Sequence, residues 1–176
     1  MTAGNRFLEG ALLTLDVETI KLTPEEYAAN PTSADPVSVV IFDDVTPANL
    51  PSAPTDLLFF HPTGRNSPIK IRGDGDLPGP RITAVDEQHP VMKNLDLSNV
   101  QITSSVVFSP EPARGEAAVA LSVRDAIMAV RNQGGRQIVV VGFALPSSAH
   151  PDATDFPLRV SFPLFVANTL TWFAAE

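Results

Sequence analysis

Apolar positions are densest at Ile138, Val139, Val140 and Val141, which follow one another with no polar residue between them. Gly134-Gly135-Arg136-Gln137 leads into this run, and Gly142-Phe143-Ala144-Leu145 leaves it. A half-exposed strand alternates apolar and polar positions. An unbroken β-branched run therefore predicts a strand covered on both faces, in the interior of an α/β sheet. Residues 37–43 (Val-Ser-Val-Val-Ile-Phe-Asp) and 56–60 (Asp-Leu-Leu-Phe-Phe) have the same character. Upstream, Phe7, Leu8, Ala11 and Leu12 form the stripe of a helix over 6–15, capped by Thr2 or Asn5. Thr23-Pro24-Glu25-Glu26 predicts a second start, with a cap, a proline at the first helical position and a glutamate three after the cap. Asn30-Pro31 ends that helix, and 32–36 is loop. A short extended segment over 17–22 joins the two helices.

Beyond the second strand the pattern is more broken. Residues 45–54 carry three prolines and predict irregular chain. Residues 63–80 hold four glycines and three prolines and predict a long loop, interrupted only by Ile69-Lys70-Ile71. Loops of that length in a compact domain tend to be functional. Strands are predicted at 81–85, 100–108, 117–123 and 126–130, with helical turns at 89–95 and a turn at 110–115. The strand at 126–130 pairs across Asn132-Gln133-Gly134-Gly135 with the Ile138 run as a hairpin. A polar loop over 146–155 precedes a last helix over 164–173, apolar nearly all round and expected to be well buried. The order predicts a flavodoxin-like layered α/β sandwich with a mainly parallel sheet and an antiparallel hairpin extension.

Length and composition narrow the classes. At 176 residues the chain is expected to be one domain, 1–176, with a sizeable core. A net charge of −8 counts against nucleic acid as a partner and against anionic lipid surfaces. Cysteine is absent, which removes disulfides, thiolate metal sites and a cysteine nucleophile together. No segment approaches the roughly 18 apolar residues of a membrane span, so direct insertion is not expected. The amino terminus lacks the layout of a signal peptide. It enters a helix with no strand ahead of it, so the chain is expected to be a piece of a longer protein.

Four residues stand out as candidate ligand-binding groups. Asp43 and Asp44 follow a buried strand, where α/β folds place ligands, and paired carboxylates can bind a cation or exchange protons. The bland alternative is a pair that caps and solvates the following loop. His61 ends the next buried strand and can act as base or ligand, or simply as a hydrogen-bonded strand end. Asn5 lies in Thr2-Ala3-Gly4-Asn5, where free N–H groups at a helix start can meet an anion. His89 precedes a proline and can cap a turn, and His150 stands in the polar loop. The three histidines share no metal-ligand spacing, so neither a metal nor a cofactor is expected. No Gly-x-Ser-x-Gly elbow surrounds Ser104-Ser105 or Ser147-Ser148. Gly73-Asp74-Gly75-Asp76 lacks the later positions of a calcium loop and reads as a turn.

Several pieces are familiar as a set: Gly4-Asn5-Arg6-Phe7-Leu8-Glu9, Thr23-Pro24-Glu25-Glu26-Tyr27, Val40-Ile41-Phe42-Asp43-Asp44-Val45 with Leu50-Pro51, and His89-Pro90-Val91-Met92 with Leu95-Asp96-Leu97-Ser98. Gly135 to Phe143, Asp155-Phe156-Pro157-Leu158-Arg159, Phe162-Pro163-Leu164 and Ala167-Asn168-Thr169-Leu170 complete it. The set resembles the class I glutamine amidotransferase-like domain of bacterial membrane proteins that also carry von Willebrand factor A and aerotolerance-regulator (Bat-type) regions. The resemblance spans nearly the whole chain. It implies a flavodoxin-like sandwich whose first strand precedes Met1, a membrane-anchored parent, and weakly an extracytoplasmic side. The family's Cys-His-Glu triad has no counterpart, because cysteine is absent and no His-x-Glu pair stands near the carboxyl end. Ala144 replaces a frequent aspartate, and the loop 146–153 is longer.

Three functional readings follow. The first is a non-catalytic interaction or ligand-sensing module, partnered by other domains of the parent or by another protein. The second is a metal-dependent hydrolase using Asp43, Asp44 and His61, which requires those side chains to converge. The third is a small-molecule binding domain, which requires a closed apolar pocket with a few convergent polar groups.

Overall fold

The computed structural model describes residues 1–30 and 37–175, so the loop expected over 32–36 lies outside the described residues. Helices α1 (Arg6–Leu13) and α2 (Pro24–Ala29) come first, then strands β1 (Val39–Asp43) and β2 (Asp56–Phe60). Strands β3 (Ile71–Pro78), β4 (Ala84–Val85), β5 (Ser104–Phe108), β6 (Glu116–Ser122), β7 (Asp125–Asn132) and β8 (Gln137–Val141) follow, and helix α3 (Ser161–Ala174) closes the chain. All eight strands form one sheet in the order β1-β2-β8-β7-β5-β3, with β6 on the other side of β7 and β4 beyond it.

The Ile138 run is the centre of this sheet. As β8 it lies parallel to β2, from Leu57 opposite Ile138 to Phe60 opposite Val141, and antiparallel to β7 on its other side. Its four apolar residues are fully buried because successive side chains enter opposite layers. Val139 and Val141, with Leu58 and Phe60, join a cluster containing Leu8 and Ala11 of α1 and Phe162, Phe165 and Val166 of α3. Ile138 and Val140, with Leu57, Phe59, Val40 and Phe42, join a second cluster with Tyr27 of α2 and Ile69. Phe42 stacks on Phe59 at 4.4 Å within that layer. Each such side chain contributes about 1.5–3 kcal/mol on burial, which fixes the three elements that carry the candidate site.

The expected helix starts are present. Asn5, not Thr2, caps α1, its side chain accepting from the N–H groups of Phe7 and Leu8. Thr23 and Glu26 form a reciprocal capping box on α2. The segment 17–22 is not a strand, and Val17 and Ile20 are exposed. The last helix is less enclosed than its composition predicts, since one flank with Leu164 faces solvent.

The α/β class stands, but the mainly parallel, flavodoxin-like sheet does not. Among the described residues only β1–β2 and β2–β8 are parallel pairs, against five antiparallel ones. Strands β6, β7 and β8 are joined by turns too short for a crossover, so each must return antiparallel to the last. The predicted loop over 63–80 also contains a strand. β3 runs antiparallel to β5 through Ile71, Arg72, Leu77 and Pro78, and its register breaks between Arg72 and Leu77, where the glycines lie. An edge strand needs hydrogen bonds on one side only, so it tolerates glycine and proline that a central strand would not. The strands expected at 81–85 and 100–108 shorten to β4 and β5. Met1 hydrogen-bonds the outer edge of β1, donating to Ile41 O and accepting from Asp43 N, which is the spacing of a parallel neighbour.

Candidate functional site

The parallel strands β1, β2 and β8 end side by side, and each delivers a polar residue to that end. Asp44 follows β1 directly and His61 follows β2 directly. The loop after β8 brings His150 back over both. The backbone is tied at each exit: Asp44 N donates to Phe60 O at 3.0 Å, and His61 N donates to Val141 O at 2.8 Å. Both residues adopt left-handed backbone, with φ of 54° at Asp44 and 51° at His61. Asp and His tolerate that region better than most residues. The turn lifts their side chains out of the strand's alternation and aims them at each other. His150 is presented by a local turn in which its N–H meets Ser147 Oγ at 3.2 Å and its carbonyl accepts from Ser147 N at 3.2 Å.

The three side chains share one carboxylate. His61 Nδ1 is 2.7 Å from Asp44 Oδ1, and His150 Nε2 is 3.1 Å from Asp44 Oδ2. The two imidazole rings meet edge to face at 5.8 Å. On its far side His61 Nε2 faces Asp76 Oδ2 of β3 at 3.6 Å. The hydrogen bond to Asp44 holds the His61 imidazole above its ordinary value, and burial opposes this more weakly. The groups are reachable from solvent, with side chains 28% exposed at Asp44, 15% at His61 and 43% at His150.

Asp43 is not part of this cluster. As the last residue of β1 it keeps the strand's alternation and faces the α1 layer, where it is buried and accepts from Thr2 Oγ1 at 2.6 Å. Burial pushes its carboxyl above the usual range, against the hydrogen bonds of Thr2 and the Asn5 amide. The convergence of Asp43, Asp44 and His61 required by a hydrolase reading therefore fails at Asp43. Asn5 is likewise structural. Its Oδ1 takes the Phe7 and Leu8 N–H groups, Thr2 Oγ1 takes that of Gly4, and Glu9 Oε1 approaches its own N–H at 3.4 Å, which leaves little for an anion. Its buried Nδ2 satisfies no full hydrogen-bond geometry.

His150 and Asp76 are the residues that sequence reasoning missed. No local spacing joins His150 to His61, because the loop after β8 is what carries it across to β2. Asp76 sits in the Gly-Asp repeat read as a turn. His89 is elsewhere: its Nδ1 accepts from Val91 N, and its ring packs against Trp172 at 4.8 Å. An open groove of about 810 Å³ lies between the start of α1 and the 146–158 segment. Its lining mixes polar groups such as Gln101, Thr103 and Asp152 with apolar ones such as Phe7, Ile102 and Leu158.

No protein-family profile and no curated protein matches the chain. Among solved structures it is similar to the cytoplasmic protein STM1381 of Salmonella typhimurium LT2, with a TM-score of 0.67 and 12% identity, over 95% of this chain and 86% of that one. It is also similar to the cytoplasmic protein STM3548 of Salmonella typhimurium, with a TM-score of 0.61 and 11% identity, over 96% of this chain and 86% of that one. At such identities the likeness concerns the fold. No helix among the described residues is long and apolar enough to cross a membrane.

Proposed function

We propose that this domain is a non-catalytic ligand-sensing module whose site is the carboxyl-terminal edge of β1, β2 and β8. The observation that carries this reading is the convergence of Asp44, His61 and His150 on one solvent-reachable carboxylate, at the place where α/β sheets take their ligands. The cluster offers binding groups but contains no hydroxyl or thiol nucleophile, and the chain has no cysteine with which to perform amidotransferase chemistry. The resemblance to amidotransferase-like domains of membrane-anchored von Willebrand factor A proteins supplies the setting: a degenerate relative that reports occupancy to neighbouring domains.

The test is a thermal-shift panel of nucleotides, amino acids and sugars, with and without divalent ions, on the wild type and His61→Asn, with product analysis of every positive. Asparagine keeps the left-handed backbone while removing the imidazole. A shift of several degrees that vanishes in His61→Asn, with no product formed, is the expected result. Turnover of a panel compound that depends on His61, or binding untouched by the substitution, overturns it.

A further inference from the structure

We infer that the ligand of this edge is a divalent transition-metal ion of the zinc class, held by Asp44, His61 Nδ1 and His150 Nε2. This deepens the reading above and rests on its placement of the site. The donors are one carboxylate and two imidazoles, a set matched to Zn²⁺ and its neighbours rather than to Mg²⁺ or Ca²⁺, which prefer all-oxygen shells. One ligand atom from each of the three residues lies within 4.8 Å of the other two. Around a tetrahedral ion with bonds of about 2.0–2.1 Å, ligand atoms stand roughly 3.3 Å apart. An ion seated there replaces the contacts of 2.7 Å and 3.1 Å that Asp44 shares with the two histidines, so those pairs open slightly around it.

A second observation points the same way. A metal-bound histidine commonly gives its other ring nitrogen to a carboxylate, which fixes the tautomer and the ring plane. His61 is built like that: Nδ1 faces the Asp44 carboxylate, while Nε2 faces Asp76 Oδ2 at 3.6 Å. Asp76 is thus a positioning residue for His61. Two protein histidines and one carboxylate leave at least one coordination position open, so the bound ion can take a further donor from water, a small molecule or a partner chain. The net charge of −8 favours a cation's approach.

The experiment is equilibrium binding of Zn²⁺ to the full, untagged chain, with Asp44→Asn, His61→Asn, His150→Gln, Asp76→Asn and His89→Gln as variants and far-ultraviolet dichroism as the check on folding. One ion per wild-type chain is expected. Asp76→Asn should weaken binding about 10-fold, as changes in an orienting partner do. The three ligand variants should weaken it beyond the roughly 100-fold upper end of such effects, and His89→Gln should leave it unchanged. Imidazole ¹⁵N spectra of the wild type give a variant-free readout: zinc should move the His61 and His150 rings and leave His89 alone. Wild-type binding no tighter than that of the ligand variants, or a spectrum in which neither His61 nor His150 responds, overturns the inference. A small molecule bound through His61 without zinc would sink the metal but keep the sensing module. Zinc binding accompanied by turnover would do the reverse.

Discussion

Two charge clusters sit in this sheet, and they are finished differently. On the antiparallel side Glu116 and Arg131 face each other across β6 and β7, with side chains 0% and 13% exposed. Arg131 donates to Glu116 Oε1 and to the carbonyl of Pro68, while Glu116 Oε2 accepts from Glu111 N at 2.9 Å and Arg114 approaches from outside. Both Glu116 oxygens are matched by protein donors, and its carboxylate is sealed from water. At the parallel edge, Asp44, His61 and His150 meet in a position open to solvent and are held mainly by one another. The first arrangement locks a hairpin to the loop before β3. The second leaves binding capacity facing outward. A charged cluster points to function when its lone pairs are not already used by the fold.

The comparison predicts a graded set of outcomes. Glu116→Ala strands the largely buried Arg131 guanidinium and should destabilise the fold by about 3 kcal/mol in urea unfolding. An equal loss for Asp44→Asn would erase the distinction. Gly142→Ala strikes the joint between the two halves, where Gly142 N donates to Ile127 O and Gly142 O accepts from Val106 N. An added Cβ would lie 2.5 Å from Val106 O and 2.4 Å from Ser105 Oγ, and backbone cannot yield there. A loss of about 3 kcal/mol or more is expected, at the upper end for overpacking. Asp44→Asn in metal-free protein should change stability by about 1 kcal/mol or less, because partly exposed ion pairs contribute little.

The smallest effect is a pH dependence from His89. Burial against Trp172 pushes its imidazole below the ordinary value, and Asp86 opposes this only weakly. The folded state then binds its proton less tightly than the unfolded chain does. Stability is therefore full above the ordinary pKa of about 6.5 and declines as pH falls below it. Protonation also removes the acceptor that Nδ1 offers to Val91 N. Between pH 8 and pH 5 the unfolding midpoint of His89→Gln should rise relative to that of the wild type as pH falls. Equal slopes would remove His89 from the account.

Much of the core was legible because parallel interior strands announce themselves. Val139 to Val141 and Leu57 to Phe60 are continuous apolar runs, and the capping residues of α1 and α2 obey local chemistry. The rest depended on tertiary partners. The segment of β3 reads as loop because Gly73, Gly75 and Pro78 are unsuited to a central strand, and nothing local shows that β5 pairs with its one usable side. Asp43 and Asp44 look equivalent in sequence. One keeps the strand's alternation and turns inward, and the other is flipped out by its own left-handed backbone. Half of the site was therefore visible, Asp44 and His61. His150 was not, because the fold alone joins it to them. The resemblance to amidotransferase-like domains implied a mainly parallel sheet, which holds only for β1, β2 and β8.

The most direct measurement is anomalous diffraction from crystals soaked in zinc, with data collected on both sides of its absorption edge. A single strong peak bonded to Asp44, His61 Nδ1 and His150 Nε2, with Asp76 on the outer nitrogen of His61, is the predicted result. Peaks confined to other surface carboxylates, with the Asp44 hydrogen bonds intact, would show that this edge is one more finished charge cluster.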